Sequence, residues 1–190
     1  SFDRPMQLYA FLESVEKNVK SIDSIHVIYR VSSKEYEKGY QITKGRFSSV
    51  KFLKQETEND FKQLLLQATF LDSTTDYFLF GVDDIIVTDP VDISESIELL
   101  EKEKAYGFFL RLGKNITSCY TIDQKFDLPD LKEVHNGVLR WQFNKAKGDW
   151  SLAASTDMTI YRKKDFKDLF CNLDYNNPNV FEGLWIACSG

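Results

Sequence analysis

The segment Tyr77–Val87 reads YFLFGVDDIIV, in which an apolar run leads into two adjacent carboxylates, Asp83 and Asp84, and a second apolar run follows. A short apolar run rich in aromatic and β-branched residues is typical of a buried strand. Ligands of open α/β sheets bind just outside the carboxyl ends of the strands, which is where this sequence puts the two aspartates. Adjacent aspartates are costly to bury unless a cation neutralises them. The segment therefore predicts a divalent metal site that binds a phosphate.

The ordinary alternative for Asp83 and Asp84 is a helix cap or a solvated turn, because aspartates are common in turns. A pair that ends a strongly apolar strand is less common there, and hard oxygen ligands suit Mg²⁺ or Mn²⁺. The metal interpretation is therefore favoured.

The composition is that of a globular domain with a sizeable core. The 190 residues are 43% hydrophobic and 14% aromatic, and the formal net charge is −5. An acidic balance argues against a nucleic-acid-binding surface, which needs clustered Lys and Arg. No apolar run approaches the ~20 residues of a membrane span. We therefore expect no nucleic-acid partner and no transmembrane segment. Since no signal-peptide pattern is visible either, we expect a cytoplasmic location.

Helical and strand patterns alternate along the first half of the chain, which predicts α/β units around a mainly parallel sheet. Helical spacing predicts helices near residues 5–19, 34–40, 57–71, 94–104, 164–170 and 180–188. Apolar runs predict strands near residues 25–29, 50–53, 105–112, 138–143 and 157–161, and one that begins at Tyr77 and ends at the two aspartates. A helix that opens at Pro5 leaves the first unit without its strand, so we expect the chain to be a fragment.

Three segments resemble, in matching order, the nucleotide-sugar glycosyltransferases of the GT-A fold, nearest to bacterial family-2-like enzymes. They are SFDRPMQL at residues 1–8, LFGVDDI at residues 79–85 and NPNVFEG at residues 177–183. The resemblance spans almost the whole chain. It implies one GT-A-like, Rossmann-like domain over residues 1–190, with a nucleotide-binding half at 1–88 and an acceptor-binding half at 89–190. The Asp-any-Asp metal motif of that fold reads Asp83-Asp84-Ile85 here, so its spacing departs from the strict form.

The resemblance also implies the residues that contact the nucleotide. Phe2 and Arg4 would approach the base and the phosphates, and Arg suits bidentate phosphate contact. Arg30 stands where many relatives carry an acid that contacts the base, Lys62 would face the nucleotide, and Asp83 would act directly or through water or ribose. For Arg4 and Lys62 the alternative is a solvated side chain on a helix.

Glu182 is the predicted general base. The resemblance places an acid at the start of a helix roughly a hundred residues beyond the metal motif, where it takes the proton of the attacking hydroxyl. The alternative is a capping box in which Glu182 folds back onto the backbone of Asn179.

Trp150 and Asp157 are the predicted contacts of the donor sugar or the acceptor. Sugar rings stack on aromatic faces, and short polar side chains hydrogen-bond their hydroxyl groups. The alternative for a tryptophan is a place in the core.

These features together predict an enzyme of the hexosyltransferase type that transfers a sugar, with inversion, from a UDP- or GDP-sugar to a hydroxyl of a glycan, lipid or protein. Mn²⁺ or Mg²⁺ at Asp83 and Asp84 would stabilise the diphosphate leaving group. A nucleotidyltransferase is the first alternative, although no Gly-rich, basic phosphate loop is visible. The second is a non-catalytic, transferase-like binding module, because fold alone does not establish activity.

Overall fold

The computed structural model of the protein describes residues 1–119 and 123–189. The helices of this part of the chain are α1 (Pro5–Asn18), α2 (Lys34–Arg46), α3 (Asp60–Leu66), α4 (Ile93–Lys102), α5 (Lys163–Asn172) and α6 (Pro178–Ala187). The strands are β1 (Val19–Lys20), β2 (His26–Tyr29), β3 (Lys51–Lys54), β4 (Tyr77–Phe80), β5 (Val91–Asp92), β6 (Phe108–Phe109), β7 (Ser118–Cys119), β8 (Gln124–Lys125), β9 (Lys132–His135), β10 (Val138–Arg140) and β11 (Thr159–Arg162). The structure mixes helices and small sheets, which is compatible with the predicted α/β class. None of the helices in the two described ranges combines the length and apolar character needed to span a membrane.

Local sequence signals account for most helix boundaries. Pro5 occupies the first turn of α1, where its missing N–H leaves no hydrogen bond unmade. The helix α2 begins after Ser33, whose hydroxyl accepts a hydrogen bond from the Tyr36 amide at 3.5 Å. The neighbouring Ser32 donates instead to the carboxylate of Asp3 at 2.5 Å. The helix predicted over residues 57–71 ends as a π-helical turn at Gln67–Leu71.

The strands form small sheets, some parallel and some antiparallel, so the predicted mainly parallel sheet is not confirmed. The pairs β1–β5 and β2–β3 are parallel, whereas β4–β11–β6, β7–β8 and β9–β10 are antiparallel. Strand β11 lies between β4 and β6, with Ile160 opposite both Leu79 and Phe108. A parallel neighbour needs a crossover connection, usually a helix. Between β6 and β11, residues 110–119 and 123–158 form short antiparallel pairs and 3₁₀ turns instead.

Two apolar clusters form the interior of the part of the chain that the structure describes. One is aromatic and joins β4, β11, α5 and α6, with the Trp185 ring centroid 4.9 Å from those of both Tyr161 and Phe170. The other packs Leu8 and Leu12 of α1 against α2 and β2. The first cluster fixes β4, whose end carries the two aspartates.

The second apolar run, Ile85–Val87, forms neither a helix nor a strand. It lies along α1, because the Val87 amide donates to the Ser14 hydroxyl at 3.0 Å and the Asn18 side-chain amide donates to the Val87 carbonyl at 2.5 Å. The turn at Asp83 and Asp84 is therefore anchored by β4 on one side and by α1 on the other.

Candidate functional site

Asp83 and Asp84 follow β4 in a turn and meet the start of α1. One guanidinium nitrogen of Arg4, Nη1, lies 3.4 Å from a carboxylate oxygen of each aspartate. The Asp83 side chain is 10% exposed and that of Asp84 is 63% exposed. One cation therefore faces both carboxylates at the place where the sequence predicts a metal and a phosphate.

The first residues of the chain continue the parallel pairing beside β2. The Arg30 amide donates to the Ser1 carbonyl at 3.0 Å, and the Asp3 amide donates to the Arg30 carbonyl at 3.3 Å. The Tyr40 hydroxyl accepts a hydrogen bond from the Arg4 amide at 3.3 Å. This pairing sets the start of α1, and with it Arg4, opposite the end of β4.

Phe2, which is exposed, pairs with the partly exposed Arg30 just beyond the end of β2. The Arg30 guanidinium carbon lies 5.5 Å from the centroid of the Phe2 ring, and Nη1 of Arg30 lies 3.2 Å from a Glu58 carboxylate oxygen. The structure thus pairs Phe2 with Arg30 and, separately, Arg4 with Asp83. Their contact with a nucleotide stays a prediction.

Lys62 has partners elsewhere. Its ammonium group donates to the Leu173 carbonyl at 2.6 Å and lies 5.5 Å from the centroid of the Tyr175 ring. This side chain ties α3 to the loop before α6. Its predicted contact with the nucleotide would require these interactions to be released.

Glu182 reaches across to the segment that precedes β11. Its Oε1 accepts hydrogen bonds from the Thr156 amide at 2.8 Å and from the Thr156 hydroxyl at 2.9 Å. The helix α6 is capped by Asn177, whose side chain accepts from the Val180 amide at 3.0 Å. The capping box with Asn179 therefore does not form, and Glu182 is held by Thr156 instead.

Asp157 lies beside Thr156 in a partly buried, negatively charged environment. Burial raises the pKa of the Asp157 carboxyl; Arg111 opposes that rise, and the negative charges of Glu182, Asp84 and Asp149 add to it. Asp157 is therefore within electrostatic reach of both Asp84 of the predicted metal motif and Glu182 of α6.

Arg111 is a site residue that the sequence analysis missed. Its Nε lies 3.9 Å from Asp157 Oδ2, and its Nη1 lies 3.7 Å from Asp149 Oδ2. The sequence offers one signal for it, since Arg111 is the charged residue within the apolar run 105–112. That signal does not identify the carboxylates that it meets.

Trp150 lies in the interior, where it is 0% exposed. Its indole nitrogen donates to the Ile116 carbonyl at 2.9 Å, and its ring packs edge-to-face on Trp141 at a centroid distance of 5.0 Å. This is the arrangement of a core tryptophan. A stacking contact between Trp150 and a sugar stays a prediction, and it would require a rearrangement that exposes the ring.

The carboxylates of Asp83 and Asp84 suit a hard divalent cation, which takes one or two protein carboxylates and completes its shell with phosphate and water oxygens. Across residues 1–119 and 123–189, no cluster of three or more His, Cys, Asp or Glu side chains is arranged to hold a metal ion. A cation at this motif would therefore depend on the diphosphate for further ligands.

The chain is similar to the bifunctional glycosyltransferase pgtA of Dictyostelium discoideum. The two are 29% identical over an alignment of 207 positions that covers 96% of this chain and 26% of the relative. The chain thus spans about a quarter of the length of that protein. Neither a protein-family profile nor a solved structure matches it significantly.

Proposed function

We propose that this chain is a glycosyltransferase domain that moves a sugar from a nucleotide-diphosphate donor to a hydroxyl acceptor. The observation that carries the proposal is the similarity, over 96% of the chain, to a protein named a bifunctional glycosyltransferase. The meeting of Arg4 with Asp83 and Asp84 supports a donor site at the end of β4. In this proposal residues 1–88 form the nucleotide-binding half of a GT-A-like domain and residues 89–190 the acceptor half.

The charges at the end of β4 suit a diphosphate. Arg4 offers a guanidinium that can turn from the two aspartates to phosphate oxygens, because Arg4 is half-exposed and its contacts at 3.4 Å are long. Mn²⁺ or Mg²⁺ held by Asp83 and Asp84 would neutralise the charge that builds on the leaving diphosphate. Phe2 and Arg30, which pair just beyond the end of β2, would contact the base of a UDP or GDP donor.

The acceptor side is provided by the carboxylates before β11 and on α6. An acid there takes the proton of the attacking hydroxyl while that oxygen displaces the diphosphate with inversion. The two candidates for this acid are Glu182, predicted from the sequence, and Asp157. Binding of the donor nucleotide does not depend on which of the two is the general base.

The proposal is tested by calorimetric titration of UDP and GDP in the presence of Mn²⁺ or of a chelator. We expect metal-dependent binding of at least one nucleotide to the wild-type chain. Asp84→Asn should weaken that binding about tenfold or more, since loss of groups that support a metal typically costs 10–100-fold in affinity. Arg4→Gln should weaken it even when Mn²⁺ is saturating.

The matched control is Asp168→Asn, which removes an exposed carboxylate on α5. It should leave the dissociation constant unchanged. A folded wild-type sample that binds neither nucleotide, or an Asp84→Asn variant that binds as tightly as wild type, would contradict the donor site proposed here.

A further inference from the structure

Asp157 differs from the other carboxylates near the candidate site in its hydrogen bonds. Glu182 accepts two from Thr156, Asp149 accepts one from the Cys119 thiol at 3.4 Å, and Asp84 is paired with Arg4. The Asp157 carboxylate accepts none from any residue of the described ranges, and the cation that faces it is Arg111, whose Nε lies 3.9 Å away. Its lone pairs are therefore free to meet a ligand.

A general base needs an oxygen that is open to the proton it removes. The Asp157 side chain is 36% exposed, so one side of it is accessible while the rest is shielded from water. Glu182 Oε1 already faces the Thr156 amide and hydroxyl, which hold it in one orientation. Partial burial also raises the pKa of the Asp157 carboxyl, which makes it a stronger base than an exposed aspartate.

Arg111 limits the rise in the pKa of the Asp157 carboxyl and so favours its ionised form. Its side chain is 23% exposed, and its buried Nε–H has no hydrogen-bond acceptor among the described residues. Its position is fixed by the neighbouring Leu110 amide, which donates to the Met158 carbonyl at 2.9 Å, next to Asp157. The guanidinium therefore acts on Asp157 mainly through charge, and it opposes the effect of burial and of the nearby carboxylates.

We propose that Asp157 is the catalytic residue that accepts the proton of the attacking hydroxyl, and that Arg111 is its positioning residue; this inference rests on the proposed glycosyltransferase function. In the step, the acceptor O–H bond breaks and its proton passes to Asp157. The acceptor oxygen forms a bond to the anomeric carbon. The bond from that carbon to the diphosphate oxygen breaks, and its electron pair leaves with the nucleoside diphosphate. Glu182 then serves to fix Thr156, the residue beside the base.

The test is donor hydrolysis, in which water replaces the acceptor and the released UDP or GDP is measured. UDP- and GDP-hexoses are supplied with Mn²⁺ to the wild-type chain and to Asp157→Asn, Glu182→Gln, Arg111→Lys and Arg111→Gln. Asp157→Asn should lower kcat about 100-fold or more, the usual contribution of general-base catalysis. Its affinity for the Mn²⁺–nucleotide complex should stay close to that of wild type. Glu182→Gln should lower kcat less than about tenfold.

The pH profile separates the role of Arg111 from a purely structural one. Because the Arg111 charge lowers the pKa of Asp157, Arg111→Gln should move the acidic limb of kcat/KM to higher pH. Arg111→Lys keeps the charge and should restore the limb toward the wild-type position. An acidic limb that stays in place in Arg111→Gln would overturn the positioning role.

The outcomes distinguish this inference from the proposed function. Suppose that the wild-type chain binds a nucleotide and hydrolyses a donor. The inference alone would then be overturned if Asp157→Asn were as active as wild type, or if Glu182→Gln lost more activity than Asp157→Asn. A folded wild-type chain that neither binds a nucleotide nor hydrolyses a donor would overturn both proposals. Circular dichroism of each variant confirms that any loss of activity is not a loss of fold.

Discussion

At the scale of single residues, the candidate site contains carboxylates with different environments. Asp84 is 63% exposed and faces Arg4, whereas Asp157 is partly buried and faces Arg111. The two residues are of the same type, so it is their surroundings that make Asp84 suited to bind a cation and Asp157 suited to accept a proton. Such a difference has consequences for stability as well as for reactivity.

Asp157→Asn should raise the melting temperature at about pH 7.5 while it lowers turnover. Folding raises the pKa of Asp157, chiefly through burial, so the charged carboxylate opposes folding at neutral pH. That cost disappears as the pH falls through the folded-state pKa and the carboxyl is protonated. The gain in melting temperature should therefore shrink at about pH 4.5, which thermal melts at the two pH values would measure.

Asp168→Asn, at an exposed carboxylate, is again the control and should show no comparable gain. If Asp157→Asn melts below wild type at about pH 7.5, the burial cost assigned to Asp157 is wrong.

At the scale of elements, the placement of Arg4 depends on the close packing of α1 on α2. A Cβ added to Gly39 of α2 would lie 2.5 Å from Cγ of Pro5, the first residue of α1. The Thr43 hydroxyl also donates to the Pro5 carbonyl at 3.3 Å. The absence of a side chain at Gly39 thus permits the helix contact that carries Arg4 to Asp83 and Asp84.

Gly39→Ala should destabilise the protein by about 1–3 kcal/mol, the usual cost of overpacking against a rigid neighbour. The pyrrolidine ring of Pro5 is part of the helix backbone and cannot turn away. Urea unfolding would measure the change, and nucleotide affinity should fall with it because Arg4 shifts.

Gly45→Ala is the matched control in the same helix, since a Cβ there meets no atom within 4 Å. It should leave the stability unchanged or raise it slightly, because alanine is the better helix former. Equal effects of the two substitutions would show that the contact with Pro5 does not limit the packing of α1.

At the scale of the whole molecule, contacts between distant parts of the chain hold the elements around the site. One such group is a charge cluster around His26 of β2. The carboxylate of Asp72 contacts the Lys51 ammonium and lies 4.0 Å from His26 Nε2. The Lys163 ammonium donates to the Ser73 carbonyl at 3.2 Å and acts on the same histidine. This cluster joins β2, β3, the π-helical turn and α5.

The cluster should make stability depend on pH. Burial, followed by the charge of Lys51, lowers the pKa of His26, while Asp72 opposes this and Lys163 adds to it. The stability contributed by neutral His26 is therefore present above the unfolded-state pKa of about 6.5 and is lost as the pH falls through the lower folded value.

Urea unfolding at about pH 7.5 and about pH 5.5 tests this dependence. The wild-type chain should lose more free energy of unfolding over that interval than His26→Gln does. His135→Gln, at an exposed histidine, should behave as wild type. An identical loss in His26→Gln and wild type would rule out His26 as its source.

The sequence by itself determined the local elements and the place of the two aspartates. Helical spacing located α1, α5 and α6, and the apolar run located β4 with Asp83 and Asp84 at its end. These features are local, because the period of burial along one segment reports its own secondary structure. The resemblance added Arg4, and the structure brings it to the two aspartates.

Only the tertiary structure decided which elements pair and which charges meet. The antiparallel insertion of β11 between β4 and β6 replaced the predicted mainly parallel sheet. The pairing of Arg111 with Asp157 and of Glu182 with Thr156 joins residues on separate elements. Side-chain periodicity records only that a residue is buried, whereas the identity of its partner depends on contacts across the chain. The environment of each carboxylate, and hence its chemistry, therefore comes from the folded molecule.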